Sequence, residues 1–164
     1  MSTAPAVGSS RSSSIDSVSQ VVVAPDIEVA DVRDLDLGRR FDTVVLGSHL
    51  VNLPEAQRRA TFLGLLARHL TDAGVALVEH HPLDWAETAA EVQPTPGSGV
   101  GMEDVRRDPP FVSAVSTFDV GGRFVRQPFT ARVLDEAELA SELEASGLAV
   151  RRRLSPTWLE AGRE

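Results

Sequence analysis

The chain has 164 residues, 42% of them hydrophobic, which is enough for one domain with a real core and too apolar for a disordered chain. Its net charge of −8 and pI of about 5.0 exclude a surface built to neutralise phosphates, so no nucleic-acid partner is expected. All 16 basic residues are arginine, and lysine, cysteine and tyrosine are absent, which removes Schiff-base chemistry, a phosphate-loop lysine, a thiolate nucleophile, a zinc–sulfur site and any disulfide.

Met1–Gln20 is Ser-rich, lacks periodicity and reads as a flexible lead-in to a domain over residues 21–164. No run is apolar enough for a membrane span and no secretory signal opens the chain, so no membrane partner and a cytoplasmic setting are expected. Val21–Val23 is a short β-branched run stopped by Ala24-Pro25-Asp26. Ile27–Val32 is predicted as a strand with Asp31 near its end, and Phe41–Gly47 as a stronger one whose continuous Val44-Val45-Leu46 run suits burial on both faces.

Asn52 is a candidate N-cap, with Pro54 and Glu55 in the first turn of a helix running to about Leu70. Its apolar stripe is Ala60, Leu63, Leu66, Ala67 and Leu70; Arg58, Arg59 and Arg68 fall off it. Asp72-Ala73-Gly74 makes a turn into a strand at Val75–Glu79, so that strand, helix and strand form a βαβ unit of a parallel sheet.

Trp85–Val92 is read as one short helix and Gln93–Pro110, rich in Pro and Gly, as a loop. Phe111–Val120 and Arg123–Val133 flank Gly121-Gly122 as a hairpin, an insertion over about 111–133. Asp135 caps an acidic helix stopped by Gly147. Leu148–Leu154, carrying Arg151-Arg152-Arg153, and Thr157–Ala161 are the last strands. Gly97-Ser98-Gly99-Val100-Gly101 has alternating glycines without the preceding strand and following helix that a phosphate-binding loop needs, and is a loop on this reading.

The ordered series ADVRDLDL, FDTVVLGS, helix and DAGVALVEHHP resembles the third, fourth and fifth strand regions of class I S-adenosylmethionine (SAM) methyltransferases, and FTARVLDEAELASELEASGL the region before that family's last helix and sixth strand, over about Ile27 to Ala161. The resemblance implies an α/β, Rossmann-like, mostly parallel sheet flanked by helices, with an antiparallel C-terminal part. It implies SAM as cofactor and a small-molecule methyl acceptor reacting through O or N. It also implies roles: Asp31 and the Val32 amide at the adenine, and Leu46, Gly47 and Ser48 beside the methionine part. Asp31 and Gly47 should then meet in one crevice beyond the strand ends. Plain structural roles remain open: Asp31 capping a turn, Gly47 ending a strand.

The family's first strand and glycine-rich loop find no match before Ile27, and only Ile15-Asp16-Ser17 is a candidate remnant of its ribose-binding acid. The resemblance therefore implies an N-terminally incomplete domain. His49 and His80 are candidate general bases for deprotonating an acceptor, and the adjacent His80-His81 pair is unsuited to a metal because neighbours in a strand point to opposite faces. No metal is expected. His69 is assigned to the helix C-terminal dipole, and Trp85, Trp158 and Phe111 to core or rim packing. Methyl transfer needs no dedicated catalytic triad, since alignment of an activated donor supplies much of the rate. The alternative is a non-catalytic remnant that binds or dimerises, and a homodimer stays open. A nucleotide-binding oxidoreductase is disfavoured because its fingerprint glycines are missing.

Overall fold

The computed structural model describes residues 25–94, 99–120 and 122–164. The expected lead-in, Ile15-Asp16-Ser17, the Val21–Val23 run, Gly97, Ser98 and Gly121 lie outside them. Two sheets organise the chain. The first has strand order β1-β2-β7-β6, built from β1 (Phe41–Leu46), β2 (Leu70–Glu79), β6 (Leu148–Ser155) and β7 (Trp158–Arg163). The second has order β3-β4-β5, from β3 (Val100–Asp108), β4 (Phe111–Val120) and β5 (Arg123–Arg132).

In the first sheet β1 and β2 are parallel, joined through α1 (Ala56–His69), as the βαβ reading requires. β2–β7 and β7–β6 are antiparallel. A mostly parallel sheet is thus corrected: among the described residues one of its three pairings is parallel. The strand expected at Ile27–Val32 is irregular, with Ile27 at 81% and Val29 at 92% exposure. β-branched residues extend a chain, but a strand exists only where a ladder partner takes its backbone groups.

The core lies between the first sheet and two helices packed on one of its faces. Leu46, Ala76, Val78, Leu159 and Ala161 point from the sheet to Leu63 and Leu66 of α1 and Leu139 and Leu143 of α3 (Glu136–Glu144). Register places Val45, Leu77 and Glu160 on the opposite face, where Val45 is 56% exposed. β1 is therefore buried on one face rather than both. The Asp72-Ala73-Gly74 turn appears as a bulge inside a longer β2, where the register jumps from Phe41↔Leu70 to Thr43↔Val75.

α1 begins one turn later than expected, with Glu55 at the N-cap position. Asn52 instead ends a short 3-10 turn, Leu50–Asn52, and is buried. Arg59, expected on the solvent side, is buried: Nε donates to both Glu142 carboxylate oxygens at 3.0 and 2.8 Å, and Nη1 donates to the Leu53 and Pro54 carbonyls at 2.6 and 2.9 Å. One guanidinium thus joins α1 to α3 and closes the loop ahead of α1. His69 is buried too. Its Nδ1 donates to Leu65 O at 3.0 Å, and Nε2 accepts from Leu37 N at 3.0 Å, so it ties down the segment before β1 and is more than a dipole partner.

α3 starts as expected, with Asp135 and Glu138 forming a reciprocal capping box, and Gly147 (φ 76°) ends it in the left-handed region. The hairpin also forms, with Val120 opposite Arg123. The predicted Trp85–Val92 helix stops after Trp85–Thr88 (α2), and the predicted loop Gln93–Pro110 contains β3. Gly101 enters β3 because the Val92–Pro94 segment lies flush against it: a Cβ there would meet Pro94 Cδ and Thr117 Oγ1 at 2.6 Å. Val92 and Met102 form the bridge that this close approach allows.

Removing one partner of a buried pair strands the other charge. Arg59→Ala is expected to lower unfolding free energy by about 3 kcal/mol in urea titration, with the apolar pair Arg59→Met/Glu142→Leu recovering most of it. A loss below about 1 kcal/mol for Arg59→Ala would show that the pair does not hold the helices together.

Candidate active site

Parallel strands carry their C-terminal ends to one edge, and here that edge receives Gly47-Ser48-His49 from β1 and Glu79-His80-His81 from β2. Ser48 (φ 57°) and His49 (φ 52°) are both left-handed, a conformation costing about 1 kcal/mol or more per non-glycine residue. This sharp reversal leads into the 3-10 turn and sets the His49 ring on His81, with centroids 3.8 Å apart and planes 15° apart. His81 in turn stacks on Trp85 of α2 at 3.6 Å and 3°. Trp85, expected as packing, is the end of a three-ring stack.

Asn52 fixes this edge. Its Oδ1 accepts from His81 N at 2.9 Å, and its Nδ2 donates to Arg132 O at 2.9 Å. One buried amide therefore joins the end of β2 to the end of β5, and so the first sheet to the second. Between the sheets lies a cleft of about 680 Å3, with Ser48, His49, His81 and Trp85 on one side and Met102, Phe118 and Gln127 on the other.

The three imidazoles differ in what they have free. Arg153 Nη1 lies 3.2 Å from His80 Nε2, and arginine can only donate, so that nitrogen accepts and Nδ1 donates to His81 O at 3.0 Å. His80, a candidate base from sequence, has both nitrogens engaged and is buried. Burial holds His80 and His49 below the usual histidine value. Burial, then the neighbouring His49 and His80, push His81 down to about 3. Glu79 opposes the effect at His49, its carboxylate 3.8 Å from Nε2, while His49 Nδ1 is buried with no hydrogen-bond partner among the described residues.

The remaining predicted site residues divide. Ser48 lines the cleft and Leu46 is core. Gly47 adjoins Glu79, whose Oε2 lies 3.7 Å from the point a Cβ on Gly47 would occupy. Asp31 and Val32 line a different cleft of about 360 Å3, against Gln57, Thr61 and Phe62 of α1. The structure does not bring Asp31 into the cleft that Ser48 lines. Asp31 accepts from Arg33 N and Nε at 2.9 Å and pairs with Arg33 Nη2 at 2.5 Å, which holds its carboxyl well below the usual range. Sequence reasoning missed the link made by Asn52, the stacking of His81 between His49 and Trp85, and Glu79 beside His49.

No family model matches the chain, and no curated protein does. Solved structures do. A SAM-dependent methyltransferase from Clostridium acetobutylicum is similar at TM-score 0.65 and 12% identity, over 85% of this chain and 64% of its own. The CcbJ methyltransferase from Streptomyces caelestis is similar at TM-score 0.58 and 19% identity, over 83% and 66%. The sugar N-methyltransferase KedS8 from a Streptoalloteichus species is similar at TM-score 0.57 and 20% identity, over 82% and 61%. The fold is that of class I SAM-dependent methyltransferases, and the chain spans between 61% and 66% of the length of these neighbours.

Deleting the Asn52 amide leaves the His81 N–H and Arg132 carbonyl unpaired. Asn52→Leu is expected to cost about 2–3 kcal/mol and to loosen the cleft, read as faster amide exchange at His81. Unchanged exchange there would refute the link. Because folded-state His81 titrates at about 3 against 6.5 unfolded, the unfolded chain binds protons first as pH drops. Its stability contribution is complete above about pH 6.5 and is lost as pH falls toward the folded value. The thermal midpoint should decline between about pH 6.5 and pH 5, above the carboxylate range, and less steeply in His81→Gln. Equal slopes in the two proteins would exclude His81 as the source.

Proposed function

We propose that the protein is a SAM-dependent methyltransferase acting on the nitrogen or oxygen of a small molecule. The observation that carries this is the cleft at the C-terminal ends of β1 and β2, where Ser48 and His49 face His81, in a chain whose fold is that of such enzymes. The similarity to a sugar N-methyltransferase supports a small acceptor.

On this reading Asp31 and Val32 take the adenine in their cleft against α1, and Leu46, Gly47 and Ser48 lie along the methionine part. The two clefts flank one connection, Ser48–Leu53 lining the first and Gln57–Phe62 the second. Bound SAM supplies a methyl group on a sulfonium leaving group. The chain's residues do the rest. The apolar wall excludes water, and the His49–His81–Trp85 stack orients the acceptor. His49 takes the proton that the acceptor nitrogen or oxygen gives up on attack. Its ring lines the cleft, and the Glu79 carboxylate, 3.8 Å from Nε2, steadies the resulting imidazolium. His80, engaged at both nitrogens, supports His81 rather than moving a proton.

A second reading, a non-catalytic member of the fold that binds a partner or dimerises, is favoured by two observations. Among the described residues no glycine-rich loop joins a strand to a helix, and Arg33 already occupies both Asp31 oxygens. Calorimetric titration of the full chain with SAM and S-adenosylhomocysteine separates the two. Methyltransferase function predicts a Kd on the order of 1–100 μM, weakened about tenfold by Asp31→Ala. No heat at millimolar ligand, on the order of 1 mM, would leave the non-catalytic reading.

A further inference from the structure

The wall of the cleft has a property the methyl-transfer reading does not require. Charged residues make up 24% of the chain, yet among the described residues that line this cleft none carries Asp, Glu, Lys or Arg. This is not merely core composition, because the lip is open: Val92 is 54% exposed and Val100 51%. Half-exposed positions usually carry polar groups, and here they carry valine.

The second sheet shows how the sorting is done. Side chains alternate between faces along a strand. Register sets Met102, Ser116 and Gln127 in one row across the sheet, and Val100, Phe118 and Val125 in the next, toward the hairpin turn. Both rows belong to the cleft-side face. Beside these rows the charges fall on the other face, where Arg126 pairs with Glu103 at 2.9 Å and with Asp104 at 3.3 Å, and the cleft-side arginines, Arg107 and Arg123, stand at the two ends of the sheet outside the cleft lining. The facing wall adds no cation either, since burial keeps His49 and His81 neutral near pH 7 and the one charge beside them is the Glu79 carboxylate, 3.8 Å from His49 Nε2. A phosphate or carboxylate entering this space would lose its water and find no cation.

We infer that the cleft selects an uncharged acceptor: one whose polar groups meet Ser116 and Gln127, whose apolar flank lies on Phe118 and Val100, and which carries no phosphate or carboxylate near its reacting end. This rests on reading the cleft as the acceptor site. Nucleotide-linked acceptors are excluded from it, and neutral glycosides or aromatic amines and alcohols are admitted. Phe118 and Gln127 determine specificity by shape and neutrality, remote from the bond that forms.

The test is a fluorescence titration of the full chain with N-phenyl-1-naphthylamine, an uncharged aromatic amine that brightens in apolar sites, without SAM. Saturable binding is expected, displaced by the neutral p-nitrophenyl β-glucoside and not by uridine diphosphate. Phe118→Ala should weaken it about tenfold. Gln127→Glu, at an exposed position that cannot unfold the sheet, should weaken the glucoside about as much. Phe124→Ala, which alters an exposed aromatic on the opposite face, should change nothing. Absence of probe binding, displacement by uridine diphosphate, indifference to both cleft variants or sensitivity to Phe124→Ala would each overturn the inference. A chain that binds the probe at Phe118 but gives no heat with S-adenosylhomocysteine loses the methyl-transfer reading and keeps the neutral cleft; one that binds S-adenosylhomocysteine but takes uridine diphosphate into the cleft does the reverse.

Discussion

The side-chain amide of Asn52 is the constraint on which the site depends. Its oxygen holds the His81 N–H and its nitrogen holds the Arg132 carbonyl, so one buried group spans the ends of strands from two sheets. The cleft takes its lining from both sheets, and Asn52 joins them at that edge. A buried amide can do this because leaving either backbone partner unmade costs a full desolvation penalty, whereas sliding apolar surfaces past one another costs little. Arg59 guards the same connection from the other side, tying the Leu53 and Pro54 carbonyls to Glu142 on α3.

The electrostatics of the site follow from this enclosure. His49 and His81 line it and His80 lies beside them, and burial keeps all three below the usual histidine value. His80 is committed by Arg153 and a carbonyl; His81 is committed to stacking; His49 keeps an unpartnered nitrogen and a carboxylate nearby. The unpartnered nitrogen thus belongs to a residue held in left-handed backbone. Ser48 and His49 adopt consecutive left-handed conformations, a strain sustained by the packing around them that sets the direction of the His49 ring. The same sheet that carries Arg126, Glu103 and Asp104 on one face lines the cleft with uncharged side chains on the other. Charge sorting by strand alternation is a simple route to a dry, selective pocket, because period two separates the faces without any further device.

Asp31 marks a tension within the methyltransferase reading. It lies in a cleft of its own against α1, and its carboxylate is held by Arg33 in a local turn. An adenine there has to compete with an intact ion pair on an exposed segment, although such exposed pairs contribute little to stability and yield readily. The fold itself is independent of that outcome. One parallel pair and two antiparallel pairs, with α1 and α3 on one face, make a fold similar to SAM-dependent methyltransferases at TM-scores of 0.57 to 0.65 and identities of 12% to 20%.

What was legible in the sequence was whatever short-range chemistry decides. The apolar runs at Phe41–Leu46 and within Leu70–Glu79 became the parallel pair, the hairpin strands paired on either side of Gly122, and Asp135 with Glu138 built its capping box from residues three apart. The single sequence also announced that His49 and the His80-His81 pair stand at strand ends. It did not announce which imidazole would be free, because that depends on Arg153, 73 residues from His80. Strand β3 was hidden for the same reason: Glu103, Asp104, Arg106 and Arg107 have no intrinsic β preference and become a strand only by pairing with β4. Ile27–Val32 is the converse, an apolar stretch that found no ladder. Asn52 and Arg59 looked like surface residues and became central through partners 80 and 83 positions away. Local sequence determined the elements and the chemical inventory. Tertiary structure decided the site, because protonation, enclosure and neutrality are properties of what surrounds a side chain, and the chain's neighbours in space are not its neighbours in order.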